Sequence, residues 1–243
     1  MTDPRISIID QRLQPIRRII AVSSGKGGVG KSLVATTLAL ELADRGCNVG
    51  LFDLDFTSPT THIILGAKDE QPKEEKGLVP PTINGLQHMS LTYYTSNLAA
   101  PLRGEDTSNA LIELLAVTRW SELDYLIIDM PPGIGDAVLD LIRLVKNIEF
   151  LIVTTQSRLA FETVKKLASL LRDLKVPVIG LIENMKTREG ITLAPETKTL
   201  GLAHLGVIPF DSQVEEAIGN PFALRNTQIA KKMKQIIPAV TRN

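Results

Sequence analysis

Residues 23–32 read SSGKGGVGKS, with four glycines and two lysines in ten positions. Glycine loses more backbone freedom on ordering than any other residue, so such a run makes a poor helix or strand and needs a local reason. The flanks supply it. The apolar stretch RIIAVSS precedes the run, and a helical pattern from Lys31 to Arg45, closed by Gly46, follows it. In that setting, after a strand and before a helix, Gly25-Lys26-Gly27-Gly28-Val29-Gly30-Lys31-Ser32 fits the phosphate-loop pattern G-x-x-x-x-G-K-[ST]. Successive backbone N–H groups turn inward as a nest for phosphate oxygens, and the helix start adds its positive end. Lys31 is expected to reach the β- and γ-phosphates of ATP, and the Ser32 hydroxyl to ligate Mg²⁺. A glycine-rich linker would explain the composition but not the flanks. Lys26 is surplus to one nucleotide: it faces solvent or serves a phosphate elsewhere.

Further out, NVGLFDLD, DYLIIDM, EFLIVTT and PVIGLIEN are apolar on both faces, as strands of a covered parallel sheet are. Helix candidates lie between them at Ser108 to Trp120, Ala137 to Lys146 and Leu159 to Lys175. The alternation predicts right-handed crossovers and an α/β fold, a doubly wound, mostly parallel sheet with helices on both faces. KDEQPKEEK (residues 68–76) reads as a solvated loop, and the following GLVPPTINGLQHMSLTYY as a short hairpin ahead of one more sheet strand. No repeat or linker divides the chain, so residues 1–243 are expected to form a single domain.

Lys plus Arg and Asp plus Glu both total 27, which leaves no basic field to hold nucleic acid. No apolar run approaches the roughly 18 residues of a membrane span, and the acid- and proline-bearing N-terminus does not read as a secretory signal. One cysteine, Cys47, suits a reducing cytoplasm. A soluble, cytoplasmic protein is the expectation.

Asp53 and Asp55, in LFDLDFTSP, stand two apart at a strand end, where period two puts both on one face. Adjacent carboxylates repel unless a cation separates them, and beside a phosphate loop Mg²⁺ is that cation. Asp55 is assigned to orient or activate the attacking water and Asp53 to the Mg²⁺ environment. YLIIDMPPGIGD ends an apolar run in Asp129, a further magnesium-side acid, so the metal set is Ser32, Asp53, Asp55 and Asp129. Pro131 and Pro132 stiffen the exit, and Gly133 permits close backbone approach to a γ-phosphate. Asn184, in GLIENMK, offers donor and acceptor to an adenine edge. Pro209, Phe210 and Asp211 end the next strand, where closing over the base competes with a simple turn. His62, His88 and His204 have no metal spacing and read as structural or solvated.

The loop GKGGVGKS resembles the deviant Walker A loop of the ATPases that include MinD, ParA, the nitrogenase iron protein and the Mrp-type cluster carriers. In that group the early lysine, here Lys26, reaches across a nucleotide-sandwich dimer. The resemblance thus implies an ATP-dependent homodimer with Lys26, Lys31 and Asp55 in catalytic roles. DFTSP, Arg103-Gly104, WSELDYLIIDMPPGIGD, VTTQSRLAFETVKK, GLIENM and GVIPFDSQVEEAIGNP are similar, in order, to segments of the Mrp, or ApbC, family. Leu33 stands where that family has threonine, which leaves the phosphate reading intact.

A larger departure follows GLIENM. The family carries a C-x-x-C pair there, and two such pairs bridge a [4Fe–4S] cluster across the dimer, whereas this chain reads KTREGITLAPETKTLG. A cluster needs several thiolates, and Cys47 precedes the second strand, on the sheet edge opposite the nucleotide. No resident iron-sulfur cluster is expected. The expected function is a Mg²⁺-dependent ATPase that couples turnover to iron-sulfur or metallocofactor assembly through a protein partner. The competing class is a MinD/ParA-like positioning ATPase acting at a membrane or on a protein. QIAKKMKQIIPAVTRN invites that idea, but Pro238 is expected to end the helix and the apolar side to close the core. A metabolite kinase on the same fold would need an acceptor pocket that no residues mark.

Overall fold

The computed structural model describes residues 3–95, 105–187 and 192–242. Arg103-Gly104 and residues 188–191, part of the stretch where the cysteine pair is missing, lie outside the described residues. Strands β1 (Ile16–Ser23), β2 (Val49–Asp53), β3 (Lys73–Glu74), β4 (Leu78–Val79), β5 (Thr82–Ile83), β6 (Leu86–Ser90), β7 (Leu123–Asp129), β8 (Ile148–Thr154), β9 (Val178–Lys186) and β10 (His204–Pro209) alternate with helices. The helices are α1 (Arg5–Leu13), α2 (Lys31–Ala43), α3 (Thr61–Leu65), α4 (Thr92–Thr95), α5 (Glu105–Val117) and α6 (Asp136–Leu144). They continue with α7 (Arg158–Asp173), α8 (Ala194–Thr199), α9 (Gln213–Ala217), α10 (Pro221–Leu224) and α11 (Gln228–Val240). Eight strands form one sheet in the order β10-β9-β8-β1-β7-β2-β6-β5, parallel except for the β5–β6 pair.

Burial on both faces explains why the strands read as continuous apolar runs. Ile19 and Ala21 of β1 join the core beneath α1, α5, α6 and α7, while Ile20 and Val22 join the one beneath α2 and α11. Along β7, Leu126 and Ile128 take the first side and Ile127 the second. Trp120 is buried and meets Phe52 edge to face at 5.4 Å, which seats β2 on the first core.

Three local expectations change. The charged stretch 68–76 is not all loop: Lys73–Glu74 pairs antiparallel with Leu78–Val79. The hairpin expected further on is β5–β6, whose second arm is itself the sheet strand beside β2. Helix α11 does not stop at Pro238 but runs through it to Val240. Proline lacks the N–H that would bond the Lys234 carbonyl four residues back, and the Arg45 guanidinium donates to that carbonyl instead, at 2.9 Å. Arg45→Ala is therefore expected to loosen the last turn of α11, lowering the melting temperature by about 2 °C for a loss under about 1 kcal/mol. Scanning calorimetry with amide exchange over residues 235–241 checks it. The inward side of α11 (Ile229, Met233, Ile236, Ile237) is buried, in the core that α2 shares, as the sequence reading expected of a closing helix.

Candidate nucleotide site

The carboxyl ends of β1, β7 and β2 lie side by side, because register pairs Val22 with Asp129 and Asp129 with Asp53. Ligands of open α/β sheets bind at this edge. Above it lies a cavity of about 720 Å³ whose wall includes Gly27, Gly28, Val29, Gly30, Lys31, Ser32, Leu33, Asp55, Asn184, Pro209, Phe210 and Asp211. Twelve of the site residues assigned from the sequence thus line one space, with Pro132 beside them. Ile63, Ile64, Ile208, Val214 and Ile218 add an apolar side, the last three from the segment GVIPFDSQVEEAIGNP and the first two from a stretch that no motif announced.

Lys31, at the start of α2, is 6% exposed, and its ammonium lies 2.5 Å from Asp129 Oδ1 and 3.3 Å from Ser32 Oγ. Asp129 is fully buried, and its second oxygen, Oδ2, has no hydrogen-bond partner among the described residues. An orphaned buried carboxylate oxygen is costly unless something else uses it. Burial pushes the Asp129 carboxyl up to about 7, with Lys31 opposing the rise and Asp53 adding to it. A hydroxyl and a buried carboxylate oxygen beside a phosphate loop form an all-oxygen donor set that suits a hard divalent cation. Ser32 and Asp129 therefore fit Mg²⁺.

The raised value sets a pH dependence. Between about pH 4 and pH 7 the folded chain keeps a proton on Asp129 that the unfolded chain has released, so this residue's contribution to stability is present at the acid end and falls as pH rises. In Asp129→Asn that contribution is missing. The melting temperature of the ligand-free variant relative to the parent is expected to rise across that window, and melts at several pH values measure it.

Asp53 and Asp55 divide the work. Strand β2 stops at Asp53, so period two does not carry to Asp55. The reason is Asp53 itself: Oδ1 accepts from the Asp55 N–H at 3.1 Å, while Oδ2 accepts from the Thr60 and Thr61 N–H groups, both at 3.1 Å, and from Thr61 Oγ1 at 2.8 Å. With both oxygens occupied, Asp53 fastens the loop that carries Asp55. Asp55 lines the cavity and accepts from Thr57 Oγ1 at 2.7 Å.

Gly25, Lys26, Gly133 and the buried acids Asp53 and Asp129 are not on the cavity wall. A Cβ on Gly25 would lie 2.2 Å from Thr163 Oγ1, so the bare backbone there lets α7 approach the loop. Lys26 is exposed and, among the described residues, has no ion-pair partner. The Gly133 N–H donates to the Ser24 carbonyl at 2.9 Å, tying the segment after Asp129 to the phosphate loop. Asn184, read as the adenine contact, donates from Nδ2 to the Val29 carbonyl at 2.9 Å, so one of its groups is committed to the loop. Met185 beside it holds a left-handed φ of 55°, uncommon for a side chain of its kind. Cys47 is half-buried just before β2, at the opposite end of that strand from Asp53, and burial pushes its thiol up.

A parallel sheet with a glycine loop, a lysine-led helix and paired acids at its carboxyl edge defines a P-loop nucleotide-binding protein. The family model described as ParA, the NUBPL iron-transfer P-loop NTPases, matches residues 15–241, and the chain belongs to that family. It is 42% identical over 177 residues to an iron-sulfur cluster carrier protein of Pseudomonas fragi, which covers 71% of this chain and 62% of the relative. It is 34% identical over 253 residues to a protein of the same name from Methanocaldococcus jannaschii, covering 96% and 87%. Against the Escherichia coli K12 carrier protein the match spans 47% of the relative's length, so the chain spans about half to three-fifths of several relatives. Among solved structures it is similar to an Archaeoglobus fulgidus nucleotide-binding protein in complex with ADP, at 29% identity and a TM-score of 0.76 over 91% of this chain and 93% of that one. The Pyrococcus furiosus cell division ATPase MinD shares the fold at 22% identity and a TM-score of 0.69, covering 92% and 98%.

Proposed function

We propose that this chain, as one domain, is a Mg²⁺-dependent ATPase that closes as a homodimer around ATP and couples turnover to iron-sulfur or metallocofactor assembly through a protein partner. The observation that carries the reading is that Lys31 and Ser32 line one cavity while the Lys31 ammonium reaches back to buried Asp129, whose second oxygen has no hydrogen-bond partner among the described residues. The triphosphate takes the Lys31 ammonium from Asp129, and the loop N–H groups receive its oxygens. When bound, Mg²⁺ would be held by Ser32 and Asp129 and would offset charge on the phosphates. Asp55 orients the attacking water, while Asp53 keeps Asp55 in place. Asn184 and the Pro209, Phe210 and Asp211 segment border the base. Lys26 is exposed, as a lysine that serves a neighbouring copy's phosphate must be.

The chain supplies one thiol, so the cluster is handled as the partner's cargo and not as a resident group. The cytoplasm is the compartment this chemistry suits, and a balanced net charge gives nucleic acid no hold. A membrane-positioning role by way of α11 is disfavoured because that helix already packs its apolar side inward. Phosphate release with Mg²⁺-ATP, and light scattering with a non-hydrolysable ATP analogue, test the reading together. The parent chain is expected to release phosphate and double in mass, and Lys26→Ala to stay monomeric. A parent that neither hydrolyses nor dimerises refutes the proposal.

A further inference from the structure

Every hydrogen-bonding group along a buried path from Asp53 to Tyr93 has one consistent direction. His88 lies in β6, its Cα paired with Leu51 of β2, and is fully buried. Thr61 Oγ1 donates its only proton to Asp53 Oδ2 at 2.8 Å. It therefore accepts at its second contact, 2.9 Å from His88 Nε2, which fixes the ring proton on Nε2. Nδ1 is then an acceptor, and the Tyr93 hydroxyl donates to it at 2.6 Å, with the two rings meeting edge to face at 5.6 Å. Burial pushes the imidazole down to about 3, which keeps that single-proton form through the neutral range.

We propose that His88 is a positioning residue for nucleotide chemistry: through Thr61 and Asp53 it holds the segment between β2 and α3, and with it Asp55 on the cavity wall. The inference rests on the ATPase reading above. Tyr93 sets the ring from the far side, and Asp53 gathers the amides of Asp55, Thr60 and Thr61 at the near end. Leucine at position 88 leaves the Thr61 hydroxyl without its donor. Glutamine can restore that donor, because its amide N–H₂ reaches about as far as Nε2.

The test compares His88→Leu and His88→Gln with the parent, using ATP turnover, ATP affinity and amide exchange of ligand-free protein. His88→Leu is expected to lower kcat about tenfold with KM for ATP within about twofold, the split expected when an attacking group is misplaced rather than a binding group lost. Exchange at residues 55–61 should accelerate, and His88→Gln should recover most of both effects. The idea is overturned if His88→Leu keeps its kcat and its exchange rates, or if the glutamine variant is no better than leucine. Should His88→Leu fail to fold, Tyr93→Phe keeps the ring and removes only the hydroxyl. Faster exchange at Thr60 and Thr61 supports the relay there, and unchanged exchange refutes it. If the parent shows no turnover that depends on Lys31, the ATPase reading fails on its own, and the exchange data still decide the relay.

Discussion

Lys31→Ala is expected to lower ATP turnover at least about a hundredfold, the size of effect seen when a preorganised charge on a reacting oxyanion is removed. In the ligand-free chain the ammonium is not idle: it sits 2.5 Å from Asp129 Oδ1 and is nearly excluded from water. A triphosphate carries more charge than one carboxylate, so on the proposed ATPase reading it is expected to compete successfully for that cation. The exchange then leaves Asp129 with two oxygens and no cation, just where a divalent ion can use them. On that reading one lysine serves two steps, receiving the phosphates and releasing the acid. The alanine variant loses both. Its Asp129 is left buried without an opposing charge, so its carboxyl is pushed further toward the neutral form. Phosphate release measured on parent and variant at saturating Mg²⁺-ATP decides the matter, and equal rates would remove Lys31 from the site. A second measurement separates the steps: Mn²⁺ binding to ligand-free protein, followed by paramagnetic resonance, should differ between the two chains only if Lys31 controls Asp129.

How much of this was legible beforehand depends on how local each feature is. The five central strands, β1, β2, β7, β8 and β9, were marked by their apolar composition alone, because a strand covered on both faces needs no partner to identify it. The phosphate loop and Asp129 are equally local, one a spacing pattern and the other the end of an apolar run. Helix α1 escaped. Its inward residues, Ile9 and Leu13, sit among charged neighbours, and the packing against α5 that makes it a helix joins residues about a hundred apart. The Asp53 set was hidden for the same reason. Thr61 and His88 reach it only because β6 pairs with β2, which the hairpin reading left open. Pro238 misled because the rule against proline within a helix counts an unpaired carbonyl, and Arg45, a distant residue, pairs it.

Gly30→Ala is expected to be a damaging single-methyl change in the phosphate loop, destabilising the ligand-free chain by about 2–4 kcal/mol and weakening ATP binding at least about tenfold. Gly30 caps α2 in the left-handed region with φ 78°, which costs an alanine about 1 kcal/mol. Space adds the rest. A Cβ there would stand 2.4 Å from Asn184 Nδ2 and 2.9 Å from Met185 Cε, so the amide must withdraw from the Val29 carbonyl it now meets at 2.9 Å. That carbonyl would lose its partner inside the loop whose N–H groups must face the phosphates. Gly28 supplies the control, since it has nearly the same φ, 77°, with nothing among the described residues within 4 Å of an added Cβ. Gly28→Ala should therefore cost only the backbone strain, about 1 kcal/mol. If the collision with Asn184 is the cause, Gly30→Ala and Asn184→Ala will not add: the double variant should be clearly more stable than the sum of the two losses predicts. Urea melts of the five chains, parent, Gly28→Ala, Gly30→Ala, Asn184→Ala and the double variant, measure this directly. Additive losses, or equal losses for the two glycines, would mean that the backbone alone sets the cost and that Asn184 does not brace the loop.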